Sequence, residues 1–266
     1  MPLMFIVGFP RSGTTFLQTL LMTDSQLCSV PETHVFTQGY GVGWRRAFGA
    51  LWVSAYCSWW LWRHLKYPRV VVGGSREQVI RRFFALLANR AQAQGQRVLL
   101  EKTPGHLEQI ARISALYPHA RFVHVIRQPQ AALASMQQAA AQWGDPASVE
   151  QHAQRWLNDL FISYRYRHHP QHCLVHYDDL LRQPEQELTR INRWAGLQAR
   201  WVSPARLAEI AQQVVGMDEH WKANNLSHGT APKRAQVKGE DGAAATALMG
   251  EFSAFLTDVV QRHEHR

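Results

Sequence analysis

The sequence predicts an α/β fold, a central parallel sheet flanked by helices. Two observations carry this. Four short apolar runs, Leu3–Val7, Val98–Leu100, Phe122–Ile126 and Cys173–His176, are each bounded by turn residues. Stretches of helical periodicity separate them, and strands joined through helices pair in parallel.

In chain order, Leu3–Val7 (LMFIV) reads as a core strand that ends in Gly-Phe-Pro-Arg-Ser-Gly and passes into a helix over Thr14–Met22. Ala47–Trp62 is apolar and Trp-rich, with Arg45, Arg46, Arg63, His64 and Lys66 on its flanks. Its sixteen residues fall short of the ~20 a spanning helix needs. It reads as a lid or core helix, as an interfacial helix, or as a partner interface. A helix over Glu77–Gln94 precedes the second strand, which gives way to a Thr-Pro turn and an amphipathic stretch over His106–Tyr117. The third strand leads through Arg-Gln-Pro into Gln130–Gln142. Further helices are expected over Ser148–Arg167, Pro184–Ala195, Pro204–Val214 and Ala244–Arg262. The aperiodic, polar stretch His220–Ala243 reads as a long loop of the kind that carries function. The whole, 1–266, is expected to be a single domain, with 44–67 as a Trp-rich lid or acceptor-side helix.

Composition narrows the function classes. Hydrophobic residues at 46% and charged residues at 18% suit a globular chain and exclude a disordered one. A formal net charge of +9 favours an anionic partner. No run of five basic residues occurs, which speaks against a nucleic-acid-binding tail. Three scattered cysteines suit neither a disulfide framework nor a four-ligand zinc site, so reduced thiols and no metal are expected. The first residues enter a strand without a basic leader, which predicts a cytoplasmic protein, peripheral to a membrane where the Trp-rich segment touches one.

Gly8-Phe9-Pro10-Arg11-Ser12-Gly13-Thr14-Thr15 lies between a strand and a helix. Its glycines let the backbone wrap so that N–H groups converge, and the helix start adds its positive end. Arg11 supplies a charge; Ser12, Thr14 and Thr15 supply hydroxyls. This is a phosphate cradle of P-loop spacing, but Thr14 stands where a triphosphatase has Lys. The third strand ends in Arg127, where such enzymes place an Asp for magnesium. Arg127 at a strand end grips a phosphate in two places, and Ser135, two turns into the next helix, reaches toward the same anion.

In these two elements the chain resembles the PAPS-dependent sulfotransferases. Gly8–Thr15 is similar to that family's 5′-phosphosulfate loop, in its Pro-Arg-Ser-Gly-Thr-Thr form, and Phe122–Met136 to its 3′-phosphate element, with Arg127 and Ser135 at the binding positions. Glu101-Lys102-Thr103-Pro104 resembles the lysine-bearing strand end between them. Val175–Leu180 resembles the family's Tyr-Glu-Asp-Leu segment, which implies that Tyr177 packs near the adenine, and Leu188–Leu197 fits the family's helix ending in Trp-Ala-Gly-Leu. The likeness covers Leu3 to Leu197 and fades beyond. Lys233, Arg234 and Lys238 suit a basic closing loop, whereas Glu240 and Asp241 depart from it.

The resemblance implies sulfuryl transfer from PAPS to a hydroxyl or amine, with release of PAP and no metal. The leaving oxygen needs a fixed cation, for which Arg11 and Lys102 stand ready, and the acceptor needs a base. Glu32, in Val-Pro-Glu-Thr-His, falls where similar branches place a catalytic Glu. His34 acts in its place or assists it, having an ordinary pKa near 6.5, and His106 is the third candidate. Pro104 occupies the position where the cytosolic branch has its catalytic His. Trp52, Tyr56, Trp59 and Trp60, at helical spacing, suggest an acceptor with an apolar body, a small molecule, glycan or lipid, or else core packing. Membrane contact through 47–62 belongs to the same expectation. Two rivals stay open: a P-loop kinase-like phosphotransferase, and a non-catalytic binder of anions or membranes.

Overall fold

The computed structural model describes residues 1–40 and 44–214. The loop expected over His220–Ala243, with its lysines, and the helix expected over Ala244–Arg262 lie outside the described residues.

Five parallel strands form the sheet among the described residues: β1 (Leu3–Gly8), β2 (Leu27–Ser29), β3 (Val98–Lys102), β4 (Arg121–Ile126) and β5 (His172–His176), in the order β2-β3-β1-β4-β5. Strand β1 is central, with Ile6 opposite Lys102 on one side and Gly8 opposite Val125 on the other. The chain leaves β1 for β2 and β3 on one flank and returns to β4 and β5 on the other. The carboxyl end of β1 is therefore the switch point at which open α/β sheets bind ligands.

The strands read as unbroken apolar runs because helices cover both faces. Phe5 and Val7 point into a core with Phe36, Val53, Trp60, Phe83, Phe84 and Ile113. These come from α2 (Val35–Gly39), α3 (Trp44–Leu65), α4 (Arg76–Ala93) and α5 (Ile110–Leu116). Met4 and Ile6 point to the other face and meet Leu17, Leu20, Leu180, Leu188 and Ile191. Those come from α1 (Thr14–Leu21), α8 (Tyr177–Arg182) and α9 (Pro184–Ala195). Phe9 packs with Leu133, Met136, Trp156 and Leu160 of α6 (Pro129–Trp143) and α7 (Val149–Arg165). Helix α10 (Pro204–Val214) lies against α1.

Expected strands and helices differ from these mostly by a residue or two at their ends. Strand β2 was not foreseen, because three residues are too short to show a period. His106–Tyr117, expected as one helix, is a 3₁₀ turn over Pro104–Gln109 followed by α5. The Trp-rich segment is helical but broken at Gly49, whose φ of 50° and ψ of −121° interrupt the ladder.

Candidate active site

The loop from Gly8 to Gly13 is held by two close approaches. A Cβ on Gly8 would lie 2.5 Å from the Val125 carbonyl oxygen, and one on Gly13 would lie 2.2 Å from the Tyr177 ring. Gly13 has φ 92° and Arg11 φ 72°, so the left-handed region is occupied by a non-glycine at the turn. Such a conformation costs about 1–2 kcal/mol and is a mark of functional loops. The Ser12 N–H donates to the Phe9 carbonyl, and the Leu17 N–H donates to the Gly13 carbonyl to start α1. No side chain caps that helix and no acid stands in its first turn, so its leading N–H groups face the loop.

Two cations converge here. Arg11 Nε donates to Ser135 Oγ at 3.2 Å. An Arg127 terminal nitrogen donates to the Arg11 carbonyl at 2.9 Å, while the guanidinium stacks 4.9 Å from the Tyr177 ring centre. Burial, with the Arg127 charge beside it, holds the Arg11 pKa below its ordinary value. Like charges so close call for an anion between them. Ser12 Oγ and Arg127 Nε are buried without a hydrogen-bond partner. Buried donors left unpaired are costly; Ser12 borders a small space lined by Phe9, Trp156, Asp159 and Leu160, whereas Arg127, beside Arg11 and Tyr177, is placed to meet an anion. The residues therefore fit a phosphorylated nucleotide. Arg11, Ser12, Gly13, Arg127, Ser135 and Tyr177 meet at one sheet edge as the sequence implied, with Thr14 buried and Thr15 half-buried at the helix start.

The second half of the site is built on the segment after β2. The Glu32 carboxylate is ion-paired through Oε1 with Lys102 Nζ, and its Oε2 lies 3.1 Å from His34 Nε2. Lys102 is buried at the end of β3, and His34 is 47% exposed. Lys102, Glu32 and His34, three of the residues named from sequence as catalytic candidates, thus form one chain running from the interior to solvent.

Glu101 anchors that segment from below. Its buried carboxylate accepts from the Thr33 N–H at 3.1 Å and Thr33 Oγ at 2.9 Å, from Thr103 Oγ, and pairs with His106 Nδ1 at 2.9 Å. Burial pushes the Glu101 pKa upward, but the neighbouring His106 imidazole and these hydrogen bonds outweigh it and the net direction is down. His106 Nε2 accepts from the Phe36 N–H at 3.4 Å, and the Thr103 hydroxyl accepts from the His34 N–H at 3.3 Å. His106 is fully enclosed against Phe5 and Phe36. Its place in the core makes it a brace for the Glu32 segment, whereas His34 faces outward.

Helix α3 holds the same segment from above. Trp60 Nε1 donates to the Glu32 carbonyl at 3.0 Å, Tyr56 Oη to the Thr33 carbonyl at 2.8 Å, and Trp52 Nε1 to the Gln38 carbonyl at 3.2 Å. Three of the four aromatics expected to line an acceptor path thus point their polar ends at the segment that carries Glu32. Sequence reasoning missed both braces. One signal was present: a carboxylate closing the apolar run Val98-Leu99-Leu100-Glu101 must be buried and therefore needs partners.

A family model described as the sulfotransferase family matches residues 2–201. Among curated proteins, the chain is 27% identical over 217 residues to nodulation protein NoeE of Sinorhizobium fredii, covering 70% of this chain and 48% of that protein. It is 24% identical over 204 residues to protein-tyrosine sulfotransferase 1 of Danio rerio, covering 74% and 54%. The chain therefore spans about half the length of the curated relatives it matches. Among solved structures, it resembles the sulfotransferase domain of the Synechococcus PCC 7002 olefin synthase, with TM-score 0.59, 20% identity and 94% of each chain covered. The sulfotransferase domain of the curacin biosynthetic pathway gives TM-score 0.57 at 18% identity, covering 94% of this chain and 98% of that one. Sheet order, phosphate loop and family match agree: the chain belongs to the sulfotransferase family.

Proposed function

We propose that the protein transfers a sulfuryl group from PAPS to a hydroxyl or amine acceptor and releases PAP. The carrying observation is the meeting, at the carboxyl end of β1 and β3, of a two-arginine anion cradle with the Lys102–Glu32–His34 chain. PAPS supplies the activated sulfuryl group. The Gly8–Thr15 loop holds its 5′-phosphosulfate, Arg127 and Ser135 take the 3′-phosphate, and Tyr177 packs at the adenine.

Glu32 accepts the acceptor's proton as the acceptor oxygen or nitrogen bonds to sulfur and the bond from sulfur to the bridging oxygen breaks. Lys102 now pairs with Glu32. As negative charge gathers on the bridging oxygen, Lys102 is drawn toward it and uncovers the carboxylate. His34, half in solvent on the second carboxylate oxygen, passes the proton outward. Acceptors with an apolar body, small molecules or lipids, fit an entrance bordered by α3, which is also where the chain would touch a membrane. A cytoplasmic location at such a surface belongs to the same reading; Cys28, Cys57 and Cys173 are all free thiols, as a reducing compartment keeps them.

Calorimetry with PAP, AMP and ATP on the wild type and Arg127→Ala tests the donor site. PAP should bind at least about tenfold more tightly than AMP or ATP, a difference of ~1.4 kcal/mol, and the preference should vanish in the variant. Equal affinity for all three nucleotides would overturn the donor assignment, and magnesium-dependent ATP turnover would favour a kinase.

A further inference from the structure

Helix α3 presents two unlike faces. Val53, Cys57, Trp60 and Leu61 are buried and hold the site. After the break at Gly49 the helix continues to Leu65, roughly 24 Å at 1.5 Å per residue. Its outward positions are Leu51, Ala55, Trp59 and Trp62, at steps of four, four and three, which form one stripe. Leu51 is 75% exposed, Trp59 49% and Trp62 55%, and Val70 beyond the helix is 76% exposed. On a helix facing water this stripe would carry charged residues; here none appears before Lys66.

Along this part of the chain the charge has a single sign. Between Glu32 and Glu77 the sequence holds Arg45, Arg46, Arg63, Lys66, Arg69 and Arg76 and no carboxylate. Lys66 and Arg69 are exposed at the end of the stripe, with Lys66 Nζ 5.4 Å from the Trp62 ring centre. A second copy of the chain would bring the same positive charge to the contact. An anionic bilayer offers apolar depth and negative headgroups together. No helix among the described residues is long and apolar enough to cross a membrane.

We propose that α3 lies in the interface of an anionic bilayer, with Trp59 and Trp62 at the boundary of headgroups and acyl chains and Lys66 and Arg69 against lipid phosphates. On the reading of Glu32 as the base, the consequence is positional. Trp60, next to Trp59 in the chain, donates to the Glu32 carbonyl, so the helix seated in the bilayer interface is the one that holds the segment carrying the base.

Flotation of the full chain with vesicles of phosphatidylcholine, alone or mixed with phosphatidylglycerol, tests the proposal. Binding to the mixed vesicles should exceed binding to the neutral ones by about tenfold or more, and should weaken with salt. Trp59→Ser with Trp62→Ser should abolish flotation on both vesicles. Lys66→Glu with Arg69→Glu should remove only the preference for anionic lipid. Circular dichroism on the same samples certifies folding, and PAP calorimetry on them reads the donor site. Absence of flotation, or equal flotation on both vesicles, overturns the proposal. So does a dimer in sedimentation velocity that the tryptophan variant dissolves, since the occupant would then be a second copy. Retained PAP affinity without flotation removes the lipid proposal alone, whereas flotation without PAP affinity supports it and removes the donor reading.

Discussion

Gly13 has φ 92°, and its Cα faces the Tyr177 ring so closely that even a methyl group would collide at 2.2 Å. Gly13→Ala should therefore displace Tyr177 or the loop. The expected result is a stability loss of about 1–3 kcal/mol in urea denaturation and a collapse of PAP affinity. A variant that bound PAP as the wild type does would show that loop and ring are not in register. Glu32→Gln keeps the shape and the backbone carbonyl that Trp60 holds, but cannot take a proton. Its kcat should fall by roughly 10²–10⁴ while PAP affinity is unchanged, as single-turnover kinetics and calorimetry would read. An equal loss in both would move Glu32 to the donor site. Arg11, Arg127, Lys102 and Glu32 were legible as residues because each lies at a strand end or in a loop of fixed spacing. The partner of each was not, since Arg11–Ser135 and Lys102–Glu32 join positions 124 and 70 residues apart.

At the scale of elements, one short segment carries the proposed base and two elements brace it. The 3₁₀ turn and the end of β3 hold it through Glu101, Thr103 and His106, and α3 holds it through Trp52, Tyr56 and Trp60. His34 sits at φ 48°, a strained conformation that these bonds maintain. Trp60→Phe removes one hydrogen bond, worth about 1 kcal/mol, yet frees the Glu32 backbone. We expect kcat to fall with PAP affinity intact, and to fall further than in Trp52→Phe, whose bond reaches Gln38. Equal effects of the two would reduce α3 to a packing element. The Trp-rich run was legible as a helix, with a core or lid, interfacial or partner role left open by its sequence. That its aromatics split between holding the site and facing outward follows from their positions around the helix against a neighbour the sequence does not show.

At the scale of the whole molecule, the seam between β4, β5 and α7 contributes to the response to acid. His124 Nε2 meets His172 Nδ1 at 2.9 Å, and His124 Nδ1 meets Ser163 Oγ at 3.1 Å. Burial, then the neighbouring imidazole, lowers His124 to about 3; burial, then His169, lowers His172 to about 4. Both are neutral in the fold but protonate near 6.5 when unfolded. Their contribution is complete above 6.5 and is lost as pH falls toward 3–4. Buried Asp159, raised to about 7 chiefly by burial, runs the other way: the native state keeps a proton there that the unfolded state releases, so its contribution is lost as pH rises through 7. Two imidazoles against one carboxyl leave the unfolded state ahead by about one proton between pH 5 and 6. Stability should then fall by about 1 kcal/mol per pH unit on acidification. Urea denaturation at both pH values reads the slope, and a flat or inverted profile would mean that these groups are solvated.

The sequence by itself determined the layered α/β fold, the phosphate loop and the identity of the charged groups at the sheet edge. These depend on local rules: apolar runs between turns, glycines where the backbone must bend back, and cations at strand ends. Tertiary structure alone decided which of several acids and histidines work together. It buried His106 with Glu101, brought Glu32 and His34 to Lys102, and turned Trp60 inward while leaving Trp59 and Trp62 exposed. The physical reason is that burial and pairing of charge depend on neighbours distant in the chain, and those neighbours are set by how strands align and helices pack.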